Sequence, residues 1–273
     1  MLYSCKSLFE RIKAQLAAEI DGFPLEDPPS VCIITTGADE PSARYVRNKL
    51  RDFESLGIVG EVVKLDNSMQ LMYFLANNAR KYDGVIVQRP IDVPGTPPKE
   101  MARRVAACMP PEVDIDGVAP GSDFMPPSVR GLDLLLQEWG YNPAGKTAVV
   151  IGRGDVGRPV AEYLLSHDAT VTICHSKTPY DVLWEAMKSA DMLVGAAGLK
   201  SPVYPSFEHG SGVVIDYGIT LYDDSGKLHG DFETASSALV RYQTSVPGGM
   251  GLMVRAGLLL NIVDAYKDRR GKK

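Results

Sequence analysis

The sequence predicts an α/β fold in two domains. Three observations carry that expectation. Strand-like apolar runs alternate with helix-like segments along all 273 residues, as folds with parallel sheets require. The stretch Lys146–Pro159, KTAVVIGRGDVGRP, sets a β-branched run directly ahead of Gly152, Gly154 and Gly157. Between these regions Pro110–Asp123, rich in Pro, Asp and Gly, breaks the alternation as a domain junction would.

Taken in order, Met1–Ile20 mixes apolar residues with Lys6, Glu10, Arg11, Lys13 and Glu19, which reads as an amphipathic helix and not a signal peptide. Val31–Thr36, VCIITT, is the first strand. Gly37–Pro41 is a turn, and Ser42 is the expected cap of a helix running to about Leu56. Glu61–Leu65 is a strand, Met69–Lys81 a helix, and Gly84–Gln88, GVIVQ, a third strand. The Pro-rich loop Pro90–Pro98 leads to a helix over Lys99–Ala107. Past the junction, Ser128–Trp139 is a linking helix. The strand ending at Ile151, the helix Val160–His167, and the strands Ala169–Cys174, Met192–Ala196 and Gly212–Asp216 follow. The closing helix, Leu252–Tyr266, is expected to return to the first domain, since no strand follows it. The expected domains are therefore 1–120 with the returning helix 252–273, and 121–251. Ligands in such folds sit beyond the C-terminal ends of the strands. The loops after Thr36, Gln88, Ile151, Cys174, Ala197 and Asp216 are thus expected around one cleft between the domains.

Composition narrows the class. At 45% hydrophobic and 23% charged the chain is an ordinary globular one, and a net charge of −5 speaks against a general nucleic-acid surface. Cys5, Cys32, Cys108 and Cys174 are scattered with no C-x-x-C. That fits reduced thiols in a cytoplasmic protein better than disulfides or a zinc site. No apolar run approaches the ~20 residues of a membrane helix, and no repeat of about 20–50 residues is visible.

The glycine stretch points to a dinucleotide. The first glycine of G-x-G-x-x-G makes a tight turn, the second admits a pyrophosphate, and the third lets helix pack on strand. The carboxylate that usually follows about 20 residues later to hold a ribose 2′-hydroxyl is missing. The second strand ends instead in His175-Ser176-Lys177-Thr178. A hydroxyl, a lysine and the nearby Arg153 suit a 2′-phosphate, so the residues favour NADP over NAD. An ordinary polar loop is the competing reading.

Elsewhere, Tyr45 and Lys49 share one helix face, beside the apolar residues Val46, Leu50 and Phe53, while Arg44, Arg47, Arg51 and Asp52 mostly point elsewhere. A partly buried lysine can serve proton transfer near neutrality. A lysine snorkelling at the core edge is the alternative, and spacing alone favours it. Gln88 ends a strand, where an amide reaches a ligand or a catalytic group, or simply starts a loop. Asp114 and Asp116 lie in EVDIDG with no third ligand nearby, so a metal is set aside. One of them can accept from an N–H-rich heterocycle, or both can serve the turn at Gly117. Val246–Gly251, VPGGMG, brings backbone close to a ligand ring or makes a turn before the last helix.

Together these segments resemble the bifunctional methylenetetrahydrofolate dehydrogenase/cyclohydrolase (FolD) family, nearly end to end. The motifs are Ser42-Ala43-Arg44-Tyr45-Val46-Arg47-Asn48-Lys49, Gly84-Val85-Ile86-Val87-Gln88-Arg89-Pro90, Asp114-Ile115-Asp116-Gly117, Thr170-Val171-Thr172-Ile173-Cys174-His175-Ser176-Lys177-Thr178 and Val246-Pro247-Gly248-Gly249-Met250-Gly251. The resemblance implies an N-terminal α/β folate-binding and catalytic domain and a C-terminal Rossmann-type NAD(P)-binding domain. It implies oxidation of 5,10-methylenetetrahydrofolate with NADP, then hydrolysis to 10-formyltetrahydrofolate, without a metal. It implies catalytic roles for Lys49, with Gln88 tuning it and Tyr45 stacking on or orienting the folate. Asp116 would bind the pterin, and Pro247, Gly248 and Gly249 would adjoin the substrate. Arg153 and Ser176 would take the 2′-phosphate, with Gly152, Gly154, Gly157, His175, Ala197 and Gly218 completing the cofactor set. A homodimer is implied too.

The chain departs from the family in places. Pro126-Pro127-Ser128-Val129-Arg130-Gly131 stands for P-C-T-P-x-G, and Val113 stands for a lysine. The loop Gly152–Gly157 is one residue shorter and adds Asp155, while Leu252 and Val254 replace a proline and a threonine. These changes bear on the preference for NADP over NAD and on whether both activities persist. The alternatives are a monofunctional dehydrogenase of the same family, a shikimate-type NADP dehydrogenase, and a non-catalytic NADP- or folate-binding homologue.

Overall fold

The computed structural model describes residues 1–37, 40–208, 210–221 and 228–271. They fall into two compact units, each with its own parallel sheet.

The first unit comprises Arg11–Pro127 and the chain from Arg255 onward. Its sheet runs β3-β2-β4, built from β2 (Ser30–Thr35), β3 (Val59–Lys64) and β4 (Gly84–Val87), all parallel. Strands β2 and β4 are nearly continuous apolar runs because helices cover both faces of a parallel sheet. Helix α2 (Glu40–Glu54) follows β2, α3 (Ser68–Asn77) follows β3, and α4 (Pro98–Cys108) follows β4. Helix α3 is capped by Asn67, whose side chain accepts from the Gln70 amide at 2.8 Å. Cys32, Ile34, Leu71, Leu75, Val85, Val87, Met101 and Val105 form its core. Helix α2 begins at Glu40, so Ser42 lies inside it and is not its cap.

The second unit comprises Met1–Glu10 and Ser128–Val254. Six parallel strands run in the order β1-β11-β8-β7-β5-β6. They are β1 (Leu2–Tyr3), β5 (Thr147–Ile151), β6 (Thr170–Cys174), β7 (Met192–Gly195), β8 (Gly212–Asp216) and β11 (Val240–Thr244). A small antiparallel pair, β9 (Thr220–Leu221) with β10 (Leu228–His229), stands apart. Helix α5 (Pro127–Trp139) leads into β5, α6 (Gly157–Ser166) joins β5 to β6, and α7 (Tyr180–Lys188) joins β6 to β7.

The N-terminus departs from expectation. Only Lys6–Ile20 is helix (α1), whereas Leu2 and Tyr3 pair with Gln243 and Thr244. The long closing helix α8 spans Met250–Gly271. Its buried Asn261 donates to the carbonyls of Ile115 and Met125, both at 2.8 Å, which fixes the chain leading out of β4. No helix among the described residues is long and apolar enough to cross a membrane.

Candidate active site

In the first unit the chain runs from β2 to β3 on one side and then to β4 on the other. The order therefore reverses at the C-terminal ends of β2 and β4, where a doubly wound sheet receives ligands. Gln88 is the first residue past β4, and its backbone N–H donates to Ile34 at 2.8 Å. Its side-chain Nε2 donates to the Arg89 carbonyl at 3.0 Å, which turns Oε1 toward helix α2. There Lys49 Nζ donates to Gln88 Oε1 at 3.2 Å. Lys49 is half-buried, beside the buried Val46 and Phe53. Tyr45, one turn earlier, leaves much of its ring exposed. The lysine expected at the core edge is thus aimed at the strand ends and held there by an amide.

Asp52 corrects one expectation. It does not point to solvent. It is buried and accepts two hydrogen bonds of 2.6 Å from Arg255, with Lys13 at 3.7 Å. The paired guanidinium is what lets a carboxylate enter the core face of α2.

The two aspartates of EVDIDG separate. Asp114 is fully buried and accepts from the Ala119 amide at 2.7 Å, closing the loop before Gly117. Burial pushes its carboxyl up from the ordinary range. Asp116 is half-exposed, and its carboxylate accepts no hydrogen bond among the described residues. Asp114 thus closes the turn through one oxygen, while its buried Oδ1 has no hydrogen-bond partner among the described residues.

In the second unit the order reverses between β5 and β7. The loop after β5 carries the glycine triad. Gly152 has φ +117°, and a Cβ there would collide with the Ala196 carbonyl in the loop after β7. A Cβ on Gly157 would strike the Gly152 carbonyl, so α6 can press on the turn only because its first residue is glycine. Gly154 faces open space, which is the approach a pyrophosphate needs. Arg153 beside it is exposed.

After β6 the backbone closes on itself. Thr178 N–H donates to the His175 carbonyl at 2.7 Å, and His175 N–H donates to Thr178 Oγ1 at 2.9 Å. Ser176 and Lys177 are left exposed at the tip. Gly152 N–H donates to the Cys174 carbonyl at 2.8 Å, so this tip is tied to the glycine turn. Ala197 follows β7 with its side chain exposed, and Gly218 follows β8, buried. Pro247 is exposed, Gly248 has φ +94°, and Gly249 is buried against Ser245. The cradle, the helix start and the polar tip fit a phosphorylated dinucleotide.

Two residues with no role in the sequence reading organise these loops. Asp216 ends β8 and accepts from Gly218 (2.8 Å), Asp231 (3.0 Å) and Phe232 (2.9 Å). Asp231 accepts from Ala197 (2.7 Å), Gly198 (3.2 Å) and Leu199 (2.6 Å). Burial raises the Asp216 carboxyl to about 6, against the lowering effect of its three backbone donors. A carboxylate closing the apolar run GVVID was a usable signal for Asp216. Nothing local to Gly230-Asp231-Phe232 marks Asp231.

Comparison with known proteins bears on both units. The family model "Tetrahydrofolate dehydrogenase/cyclohydrolase, catalytic domain" matches residues 3–116, and its "NAD(P)-binding domain" counterpart matches 126–270. A bifunctional protein FolD from Magnetococcus marinus is 36% identical, over 96% of this chain and 95% of that protein. The crystal structure of the bifunctional enzyme FolD from Campylobacter jejuni superposes with a TM-score of 0.87 at 29% identity, over 98% and 99% of the two chains. The Trypanosoma brucei FolD structure, complexed with NADP cofactor and inhibitor, gives 0.85 at 27% identity over 99% and 98%.

Proposed function

The chain belongs to the tetrahydrofolate dehydrogenase/cyclohydrolase family, and on that premise we propose that it oxidises 5,10-methylenetetrahydrofolate with NADP and hydrolyses the methenyl product to 10-formyltetrahydrofolate. The observation that carries the reading is the Lys49–Gln88 pair, an amine fixed at parallel strand ends.

In the first step the methylene carbon between N5 and N10 gives up a hydride. NADP, when bound, supplies the acceptor. The chain's part is orientation, for which fixed geometry does most of the work. Gly154 would open the turn to the pyrophosphate, with Gly152 and Gly157 making the tight turn and helix packing that allow it. Arg153 and Ser176 would take the 2′-phosphate with Lys177 beside them, and His175, Ala197 and Gly218 would border the nucleotide. Tyr45 offers a ring face to the folate, and Asp116 an acceptor to pterin N–H groups. Pro247, Gly248 and Gly249 bring backbone close to the substrate.

In the second step water adds to the methenyl carbon and loses a proton to give a neutral carbinolamine. Its hydroxyl proton then leaves as the formyl C=O forms, and N5 takes a proton as its bond to that carbon breaks, so one proton is released overall. Lys49 Nζ is the group that handles these protons. Gln88 Oε1 holds one Nζ–H and so fixes the direction of the rest of the amine.

The protein is further inferred to be a cytoplasmic homodimer. Cys5, Cys32 and Cys174 are buried free thiols, in keeping with a reducing compartment. The uncharged edge strand β6 is suited to a second copy.

The test is spectrophotometric. Purified protein with methylenetetrahydrofolate should form NADPH from NADP, at least tenfold more efficiently than NADH from NAD, and should then consume the methenyl absorbance. No reduction of either cofactor would overturn the reading.

A further inference from the structure

Three successive backbone N–H groups aimed at one point make an anion-binding concavity. This chain builds such a concavity at Ala197, Gly198 and Leu199 and fills it with its own carboxylate, Asp231. The carboxylate is fully buried. Its own backbone N–H and that of Phe232 are held in turn by the two oxygens of Asp216, which also takes Gly218 N–H. Two buried acids thus gather six backbone donors from the loops after β7 and β8 and from the segment around residue 231.

The gathered loop matters because of where it lies. Ala196 and Ala197 form the wall against which Gly152 is pressed, so close that no side chain fits between them. The path of residues 196–199 therefore sets the position of the glycine turn. A carboxylate makes stronger hydrogen bonds to N–H groups than a neutral acceptor does. Without it, three part-buried donors would have to find partners elsewhere.

We propose that Asp231 is a positioning residue for the cofactor site, its carboxylate clamping Ala197–Leu199 so that the glycine turn is preformed for NADP. The inference rests on the reading of this unit as the NADP-binding one. It goes beyond that reading by assigning a role to a residue that need not touch the cofactor.

The sign of the effect is diagnostic. Removing a negative charge near an anionic cofactor would, by electrostatics alone, tighten binding. A clamp predicts the opposite. Asp231→Asn keeps the size but turns one acceptor into a donor facing donors. Calorimetric titration of the full-length protein with NADP should show Kd raised at least tenfold. KM for NADP should rise in parallel, while kcat at saturating NADP falls less than threefold. A Kd within twofold of the unmodified protein, or tighter, would overturn the proposal. Should Asp231→Asn fail to fold, Gly198→Ala takes its place. It strains a residue at φ +62° in the clamped turn without altering charge, and the same tenfold weakening is expected. An unchanged Kd there would equally overturn the clamp. NADP binding that responds to Asp231, in a protein that does not oxidise methylenetetrahydrofolate, would remove the proposed function and leave the clamp. Failure of the unmodified protein to bind NADP would remove both.

Discussion

At the scale of single residues, the chemistry turns on how polar groups are held. Lys49 is fixed by one neutral acceptor whose own amide is anchored on Arg89. General acid–base catalysis by such a group is worth about 10²–10⁴-fold. Lys49→Ala should therefore lower hydrolysis of methenyltetrahydrofolate at least 100-fold, read as loss of its absorbance, and an unchanged rate would take Lys49 out of the mechanism. Asp216 offers a different test. Burial raises its folded-state carboxyl from the ordinary 3.8 to about 6. A raised carboxyl binds its proton more tightly in the folded than in the unfolded chain. Its contribution to stability is then complete below about pH 4, declines as pH rises to about 6, and is flat above. A shift of about two units is worth about 3 kcal/mol. The charged group facing it is Asp231, which adds to the rise; nearby, His229 Nδ1 meets the Gly230 carbonyl and the Thr244 hydroxyl accepts from the Asp216 backbone N–H. Melting temperatures measured from pH 4 to 6 should carry this downward component in the unmodified protein and lack it in Asp216→Asn. Parallel profiles would refute the assignment.

At the scale of elements, the sequence made buried parallel strands plain, because strands covered on both faces read as unbroken apolar runs. VCIITT, GVIVQ, TAVVI and GVVID all became strands, within a residue of expectation. Strand β11 was hidden by its polar residues. Gln243 is buried in it, yet its amide is satisfied by the Ala235 N–H and the Glu233 carbonyl. Strand β1 is two residues long and pairs with chain some 240 residues away, so no local pattern could announce it. Helix α7 had a start signal in Pro179 and Asp181, but the exposed Tyr180 and Val182 blur its apolar period. The candidate site was similarly divided. Its glycines stood in recognisable spacing and Lys49 was marked only by the family motif around it, while Asp231 works through backbone groups more than 30 residues away. The glycine turn gives the prediction at this scale. A Cβ on Gly157 meets the Gly152 carbonyl, which is backbone and cannot rotate aside. Overpacking of this kind costs about 1–3 kcal/mol. Gly157→Ala should lower the melting temperature and weaken NADP binding more than tenfold by titration, and wild-type affinity would show that the turn yields.

At the scale of the whole molecule, each sheet leaves an edge that must be managed. In the three-stranded sheet the edges are β3, which carries Glu61 and Lys64 and so resists pairing with another chain, and β4, which is wholly buried. In the six-stranded sheet β1 closes one side with only two residues. The other side ends in β6, five residues with no charge among them. Ile173 on β6, Leu165 on α6, and Tyr180 and Val182 on α7 are all exposed beside it in sequence. An uncharged strand flanked by exposed apolar side chains is the edge that a second copy would cover, through a two-fold that presents the same face on both chains. A charge in that edge should then separate the copies. Ile173→Glu is expected to sediment as a monomer at concentrations where the unmodified protein is a dimer, and a dimer that survives would move the interface elsewhere. The consequence reaches the cofactor, because Ser176 lies two residues past β6 and its turn is tied through Cys174 to Gly152. On the proposed dimer and cofactor site, a contact that steadies β6 would steady the turn at Ser176 as well. By linkage, NADP should tighten the dimer by the same factor that dimerisation tightens NADP. Sedimentation with and without NADP, set against titrations of Ile173→Glu, measures both sides of that equality.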